Sequence, residues 1–167
     1  MTLTKIDHKF KYPQLSYDAQ KNTQPCIKLS FYFNKLPEVS YEQLYGHWST
    51  VHADLTVAAK GFGLCKIQRY VQLAQTSEFK KKAKELTGIH MLEFDGCSEI
   101  WVKTWDDWMR FFKSDEYAQA MNPDCKYFMA MPITVYCGEE NVIYGEAIPG
   151  MGGKDGIVGK VDEAIAM

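Results

Sequence analysis

The sequence predicts an α+β fold of the ferredoxin-like type, in which a split βαβ unit places helices on one face of a four-stranded sheet. Residues 26–34 alternate between apolar and polar side chains, which is the pattern of a half-buried strand. After them, apolar residues recur at steps of four and three, which indicates an amphipathic helix. Continued along the chain, these two patterns give the order β-α-β-(α)-β-α-β.

The long helix is the first element after this strand. Ser40 and Gln43 have the spacing of a capping box, which predicts that the helix begins after Ser40. Gly61 or Gly63 can terminate it. Its apolar stripe consists of Leu44, Trp48, Val51, Leu55 and Ala58.

The remaining elements follow from the same signals. A second strand is predicted at 64–73, with Ile67, Val71 and Leu73 on its apolar face. The elements after it are a lysine-rich helix at 77–86, a strand at 97–103, a helix from Thr104 or Asp106 through Phe112, a turn or short helix at 114–121, and a strand at 131–137.

Composition excludes several classes of protein. The 167 residues are 46% hydrophobic and 24% charged, which describes a globular domain. A net charge of −2 makes nucleic acid a poor candidate partner, and no apolar run approaches the roughly 20 residues that span a bilayer. Five cysteines without a C-x-x-C pair, and a start without an apolar signal segment, predict a cytoplasmic protein with reduced thiols.

The chain divides into three predicted segments. Residues 1–25 form an irregular N-terminal arm, residues 26–138 the ferredoxin-type domain, and residues 139–167 a glycine-rich tail. Six glycines lie between positions 145 and 159, so we expect the tail to be mobile or to lie over a neighbouring molecule.

One face of the predicted sheet is polar and aromatic rather than apolar. Two interpretations remain open on periodicity alone: a solvated face, or a face-to-face dimer with a wet, tyrosine-lined interface. The residues predicted to share it are Lys28, Ser30, Tyr32, Lys66, Gln68, Tyr70, Gln72, Thr134 and Tyr136.

The long helix carries the best candidate for chemistry. His52 lies one turn after Trp48, beside the apolar stripe, and therefore points toward the sheet. It is either a core histidine whose ring nitrogens have hydrogen-bond partners, or a general acid or base in a cavity. His47 lies about 140° away around an α-helix, so the two imidazoles are not expected to converge. The four histidines show no ligand spacing, so we expect no metal site.

Other polar and aromatic residues are candidates to line the same site. Arg69 interrupts the apolar face of the second strand and could bind a carboxylate or phenolate, or instead pair with Glu99. The residues assigned to substrate binding are Tyr32, Tyr45, Trp48, Glu99 and Trp101. For Glu99 the alternative is a structural ion pair, and for Trp101 it is a place in the core.

At these residues the sequence resembles a known family. The segment 45–55, Tyr-Gly-His-Trp-Ser-Thr-Val-His-Ala-Asp-Leu, is similar to the W-x-x-x-H-A-x-L helix of EthD-domain proteins. Similarity continues over residues 26–138, and it is strongest to the EthD-like proteins of fungal aromatic-polyketide pathways. The matching segments are Gln68-Arg69-Tyr70-Val71, Asp95-Gly96-Cys97-Ser98-Glu99-Ile100-Trp101, Ser114-Asp115-Glu116-Tyr117, and Asp124 with Phe128.

The resemblance implies a fold, a chemistry and an assembly. It implies a dimeric α+β barrel made of two ferredoxin-like units, with a ligand cavity between helices and sheet. The chemistry that it implies is cofactor-free acid–base catalysis on polyketides: aldol closure, dehydration, decarboxylation or oxygenation of anthrones. His52 matches the histidine of the family, whereas His47, Arg69 and Glu99 carry over only as neighbours in its motifs.

We therefore expect a homodimeric, cofactor-free lyase that acts on an aromatic polyketide intermediate as a decarboxylase, dehydratase or cyclase. His52, His47 and Arg69 are its expected catalytic residues. The alternatives are a cofactor-independent anthrone-type monooxygenase and a non-catalytic protein that binds a polyketide.

Overall fold

The structure is a computed structural model that describes residues 5–158. Its four strands are β1 (Ile27–Lys35), β2 (Arg69–Ala74), β3 (Gly96–Val102) and β4 (Met129–Gly138). The long helix α1 consists of three consecutive segments, Tyr41–His47, Trp48–His52 and Ala53–Ala58. The helices after it are α2 (Lys60–Leu64), α3 (Ser77–Thr87), α4 (Trp105–Phe112) and α5, which joins Tyr117–Met121 to Asn122–Cys125.

The strands form one antiparallel sheet in the order β2-β3-β1-β4. This is the strand order of a ferredoxin-like fold, and the predicted α+β class is confirmed. No helix within residues 5–158 is long and apolar enough to cross a bilayer.

Helix α1 has the predicted start and an unpredicted middle. Ser40 Oγ accepts a hydrogen bond from the Gln43 backbone N–H at 3.1 Å, and Gln43 Oε1 accepts one from the Ser40 N–H at 2.9 Å. The middle segment, Trp48–His52, is a π turn with i→i+5 hydrogen bonding. Since a π turn contains more residues than an α turn, it changes which side chains of α1 share a face.

The helices cover one face of the sheet and bury the core against it. Leu29 of β1 and Ile100 of β3 pack in one cluster with Trp108 and Phe111 of α4. Phe33 packs in a second cluster under α1, where its ring meets the Trp48 ring edge-on at 5.0 Å between centroids.

The structure corrects the predicted faces of the second strand. Tyr70 pairs with Ile100, which in turn pairs with Leu29 of the core, so Tyr70 and Gln72 face the helices. Val71 and Leu73 lie on the opposite face with Arg69. Ile67 is buried three residues before Tyr70, so the alternation of sides breaks just before β2 begins.

The described residues form two compact units, and the ferredoxin-like sheet lies in the unit of residues 26–139. The described parts of the other unit are residues 5–25 and 140–158. Within it, the Gln24 N–H donates to the Glu140 carbonyl at 2.7 Å, and Asn22 Nδ2 donates to the carbonyls of Lys154 and Asp155. Residues 1–4 of the predicted arm and 159–167 of the predicted tail lie outside the described residues.

Gly96 lies so close to two aromatic rings of the core that a larger side chain would collide with them. A Cβ at Gly96 would lie 2.7 Å from Phe33 Cζ and 3.1 Å from Trp48 Cη2, and both rings are fully buried. We expect Gly96→Ala to lower the free energy of unfolding by about 1–3 kcal/mol, measured by urea denaturation.

Gly46→Ala is the matched control, since a Cβ at this position in α1 meets no atom within 4 Å. It should be neutral or stabilise the protein by about 0.4–1 kcal/mol. Equal stability of the two variants would contradict the tight contact at Gly96.

Candidate functional site

A small cavity lies between the helices and the sheet, in the unit of residues 26–139. Its volume is about 50 Å³, and its walls are mainly aromatic and aliphatic. The lining side chains that carry polar groups are His52 and Thr56 of α1, Tyr70 of β2, Ser98 of β3, and Tyr117 and Cys125 of α5. The cavity therefore combines apolar walls with a few groups able to exchange protons or hydrogen bonds.

His52 is held in the cavity wall by a carboxylate from α5. Its Nδ1 lies 2.8 Å from Asp124 Oδ2, and the two side chains are 6% and 7% exposed. Since a carboxylate accepts hydrogen bonds, Nδ1 carries the proton and donates it to Asp124. In the neutral imidazole, Nε2 is then the nitrogen with a free lone pair.

His47 binds the other oxygen of the same carboxylate. Its Nε2 is 2.8 Å from Asp124 Oδ1. The Phe128 ring packs against both imidazoles, with centroid distances of 5.3 Å to His47 and 5.2 Å to His52.

The expectation that the two imidazoles would not converge is therefore wrong. That expectation used α-helical geometry between positions 47 and 52, whereas the intervening residues form the π turn. With more residues in the turn, positions five apart come closer to the same side of α1. Asp124 then lies within hydrogen-bonding distance of both rings.

Burial determines the charge state of His52. Loss of hydration lowers the pKa of the imidazole below its usual 6.5, against a smaller raising effect of the hydrogen bond and charge of Asp124. His52 is therefore neutral at pH 7 and has the lone pair that a general base requires.

Tyr70 places a phenol in the same cavity. Gln72 Nε2 donates to the Tyr70 hydroxyl oxygen at 2.7 Å, and the hydroxyls of Ser98 and Thr56 also lie within hydrogen-bonding distance of the phenol. Burial raises the pKa of Tyr70, and hydrogen bonds from Gln72 and Ser98 oppose that rise. The phenol stays protonated and can donate a hydrogen bond to a ligand oxygen.

Four of the predicted site residues lie away from this cavity. Tyr32, Glu99 and Trp101 share the sheet face opposite to the helices, and Arg69, which pairs with Trp101, lies there too. On that face Lys28 Nζ forms an ion pair with Glu99 Oε1 at 2.7 Å, and the Arg69 guanidinium lies 5.1 Å from the Trp101 ring centroid. The structure does not bring these residues together with His52.

Tyr45 and Trp48 have structural contacts in α1. The Tyr45 hydroxyl donates to the Asp95 carbonyl at 3.0 Å. Trp48 is buried against Phe33. Contact of Trp48 with a substrate stays a prediction.

Sequence reasoning missed Asp124 and placed Tyr70 on the wrong face. Asp124 is 72 residues from His52 along the chain, and no local spacing connects the two. The only signal was its place in the family resemblance, before Phe128. In the sequence, Tyr70 alternates with apolar residues, so it was assigned to the opposite, polar face of the sheet. In the structure its phenol can face the helices because Gln72 donates a hydrogen bond to it.

The cavity is smaller than the ligand cavity that was expected. Pockets for small molecules usually measure about 300–1,000 Å³, whereas 50 Å³ holds about one or two waters. Two of its wall residues are Met121 of α5 and Met129 of β4, whose flexible side chains can change rotamer at low cost. No group of three or more histidine, cysteine or acidic side chains within residues 5–158 is placed to hold a metal ion.

Comparison with known proteins identifies the family of this chain. An ethyl tert-butyl ether D (EthD) family protein from Bacillus halodurans C-125 is similar in structure, with a TM-score of 0.49, 18% identity, and 69% of this chain and 98% of that chain covered. A DABB family protein with a ferredoxin-like fold from Mesorhizobium loti is also similar, with a TM-score of 0.46, 10% identity, and 68% and 94% covered. So is a dimeric protein of unknown function with a ferredoxin-like fold from Bacteroides fragilis, with a TM-score of 0.42, 11% identity, and 71% and 98% covered. No match was found among curated proteins.

The EthD domain profile matches residues 36–132, more than half of the sequence, and the chain therefore belongs to the EthD domain family.

Proposed function

We propose that this protein is a cofactor-free acid–base enzyme, a lyase that acts on an aromatic polyketide intermediate of secondary metabolism as a decarboxylase, dehydratase or cyclase. The observation that carries the proposal is the buried pair of His52 and Asp124 at a cavity that also contains the Tyr70 hydroxyl. The resemblance of residues 45–55 to EthD-like proteins of fungal aromatic-polyketide pathways supports the substrate class.

The geometry suits reactions that pass through an enolate. In aldol closure, His52 Nε2 takes a proton from carbon, the electron pair moves onto a carbonyl oxygen, and the enolate carbon then attacks a second carbonyl, whose oxygen receives the proton from Nε2. In dehydration, the same enolate expels a β-hydroxyl group, which leaves as water with the proton from Nε2. In decarboxylation, Nε2 takes the carboxyl proton, the carbon–carbon bond breaks as CO₂ leaves, and the same proton returns to carbon. In each case the Tyr70 hydroxyl, which keeps its proton because burial raises its pKa, donates a hydrogen bond to the enolate oxygen.

A polyketide ring must widen the cavity before it binds. Met121 and Met129 are the flexible wall residues, while Trp108 and Phe111 of α4 offer aromatic surfaces for stacking. The Asp124 carboxylate stays outside the lining and keeps Nδ1 of His52 engaged during this change.

We also propose a homodimer in the cytoplasm. Leu73 of β2 and Tyr136 of β4 lie on the sheet face opposite to the helices, and they are 57% and 71% exposed. A second copy of the chain would cover such side chains. The cytoplasm is supported by the cysteine spacing of the sequence, which contains no C-x-x-C pair.

Removal of the proposed base should abolish proton transfer at carbon. Anthrone is a suitable probe, because deuterium exchange at its C10 position reports carbon deprotonation directly. We expect His52→Gln to lower the enzyme-catalysed exchange rate in D₂O by roughly 10²–10⁴-fold, measured by NMR, with the melting temperature recorded on the same preparation.

His90→Gln is the matched control, since His90 is exposed in the loop after α3. It should exchange anthrone at the rate of the unsubstituted protein. Exchange that persists under nitrogen supports acid–base catalysis, whereas anthraquinone formed only in air would support the monooxygenase. Binding of anthrone without either reaction would point to a polyketide-binding protein and contradict the proposal.

The pH dependence should follow the charge of His52. Because burial lowers its pKa below 6.5, the neutral base persists at neutral pH and is lost only as the pH falls further. We expect the exchange rate to be level from pH 8 to about 6.5 and to decrease about tenfold per unit below the His52 pKa. A rate that already declines between pH 8 and 7 would contradict this assignment.

Light scattering should give a mass of twice 19.2 kDa at micromolar concentration. Leu73→Glu places a charge in the proposed interface and should weaken the dimer about tenfold or more. Leu86→Glu, at a position that is 75% exposed on α3, is the control and should leave the mass unchanged. A mass near 19.2 kDa for the unsubstituted protein would rule out the dimer.

A further inference from the structure

Gln72 joins the two sides of the cavity through a single amide nitrogen. Its Nε2 donates one hydrogen to the Tyr70 hydroxyl oxygen at 2.7 Å and one to the Trp48 backbone carbonyl oxygen at 2.8 Å. Tyr70 and Gln72 belong to β2, whereas Trp48 belongs to α1. The amide therefore connects the strand that carries the phenol to the helix that carries His52.

The Trp48 carbonyl is a fixed anchor for this amide. It belongs to the first residue of the π turn and accepts the Ala53 backbone N–H, so helical hydrogen bonding already determines its direction. His52 is the last residue of the same turn. A group that binds the Trp48 carbonyl is therefore placed relative to His52 by the backbone of one helical turn.

Gln72 differs from the other polar groups near the phenol. The hydroxyls of Ser98 and Thr56 also lie within hydrogen-bonding distance of Tyr70. A hydroxyl rotates to donate or to accept, whereas an amide NH₂ group only donates and imposes one direction. Within residues 5–158, β2 is an edge strand that has only β3 as a neighbouring strand. The Gln72 amide gives this strand a second point of attachment, on α1.

Resting on the acid–base function proposed above, we propose that Gln72 is a positioning residue that holds the Tyr70 hydroxyl at a set distance from Nε2 of His52. Gln72 is not among the described residues that line the cavity, so it acts on a ligand through Tyr70. The base and the donor to the enolate oxygen must face the same substrate, and a misplacement of about 1 Å can cost about 10²-fold in rate. The Trp48 carbonyl and the amide set this separation.

Gln72→Met tests the proposal in the ligand-free protein. Methionine has nearly the length of glutamine but no N–H group, so it fills the same space and removes both hydrogen bonds. We expect crystal structures of the variant and the unsubstituted protein to differ by about 0.5 Å or more in the distance from the Tyr70 hydroxyl to His52 Nε2, or to show the phenol in two conformers. An unchanged distance with a single conformer would overturn the proposal.

Gln72→Glu is the second variant, because an ionised carboxylate has the shape of the amide but no hydrogen to donate to the Trp48 carbonyl. It should also displace the phenol. Gln68→Met is the matched control, since Gln68 Nε2 donates to the Lys66 carbonyl at 2.6 Å just before β2. It should leave the distance between Tyr70 and His52 unchanged. An equal displacement in Gln68→Met would contradict a specific role of Gln72.

Anthrone exchange measures the consequence for catalysis. We expect Gln72→Met to lower the kcat of exchange about tenfold and to leave KM within about twofold, because the phenol is displaced while the lining residues are kept. In a Tyr70→Phe background, Gln72→Met should cause no further loss, since Gln72 acts through the phenol. A further tenfold loss in that background, or a change confined to KM, would overturn the proposal.

The two kinds of measurement separate this proposal from the proposed function. If the unsubstituted protein exchanged no anthrone, the acid–base function would fail, while the crystal structures would still decide whether Gln72 positions the Tyr70 hydroxyl. A loss of exchange in Gln72→Met with the phenol unmoved would rule out the positioning role and leave the acid–base function intact.

Discussion

The Asp124 carboxylate is the constraint on which the site depends. A carboxylate with only 7% of its side chain exposed needs hydrogen-bond donors, because it has lost most of its water. His47 and His52 provide one donor for each oxygen, and both come from α1. The hydrogen bonds of Asp124 therefore connect α5 to α1, and the one to Nδ1 also determines the tautomer of His52.

Two features of α1 make this contact possible. The π turn at Trp48–His52 brings the two imidazoles toward a common side, at the place where the helix meets α5. Phe128 then packs against both rings and limits their rotation. Irregular helical turns of this kind are frequent at functional sites. Here the π turn allows His47 and His52 to reach the same carboxylate.

The sheet contributes the second half of the site and also explains its small size. Tyr70 and Gln72 face the helices because the phenol and the amide satisfy each other, and the amide also donates to the Trp48 carbonyl. Large aromatic side chains from β1 and α4 fill much of the remaining space. The cavity is therefore small, and its wall includes the flexible side chains of Met121 and Met129.

The sequence by itself determined the α+β class, the capping box of α1 and the presence of His52 on the sheet side of that helix. These features follow from residue spacing along a few turns or strands, which local backbone geometry converts into faces. The tertiary structure alone decided which face of β2 is buried, that His47 and His52 converge, and that Asp124 joins them. Alternation in a strand shows which residues share a face of the sheet but not which face the helices cover. The contact of His52 with Asp124, which is 72 residues away along the chain, exists only after α1 and α5 pack together.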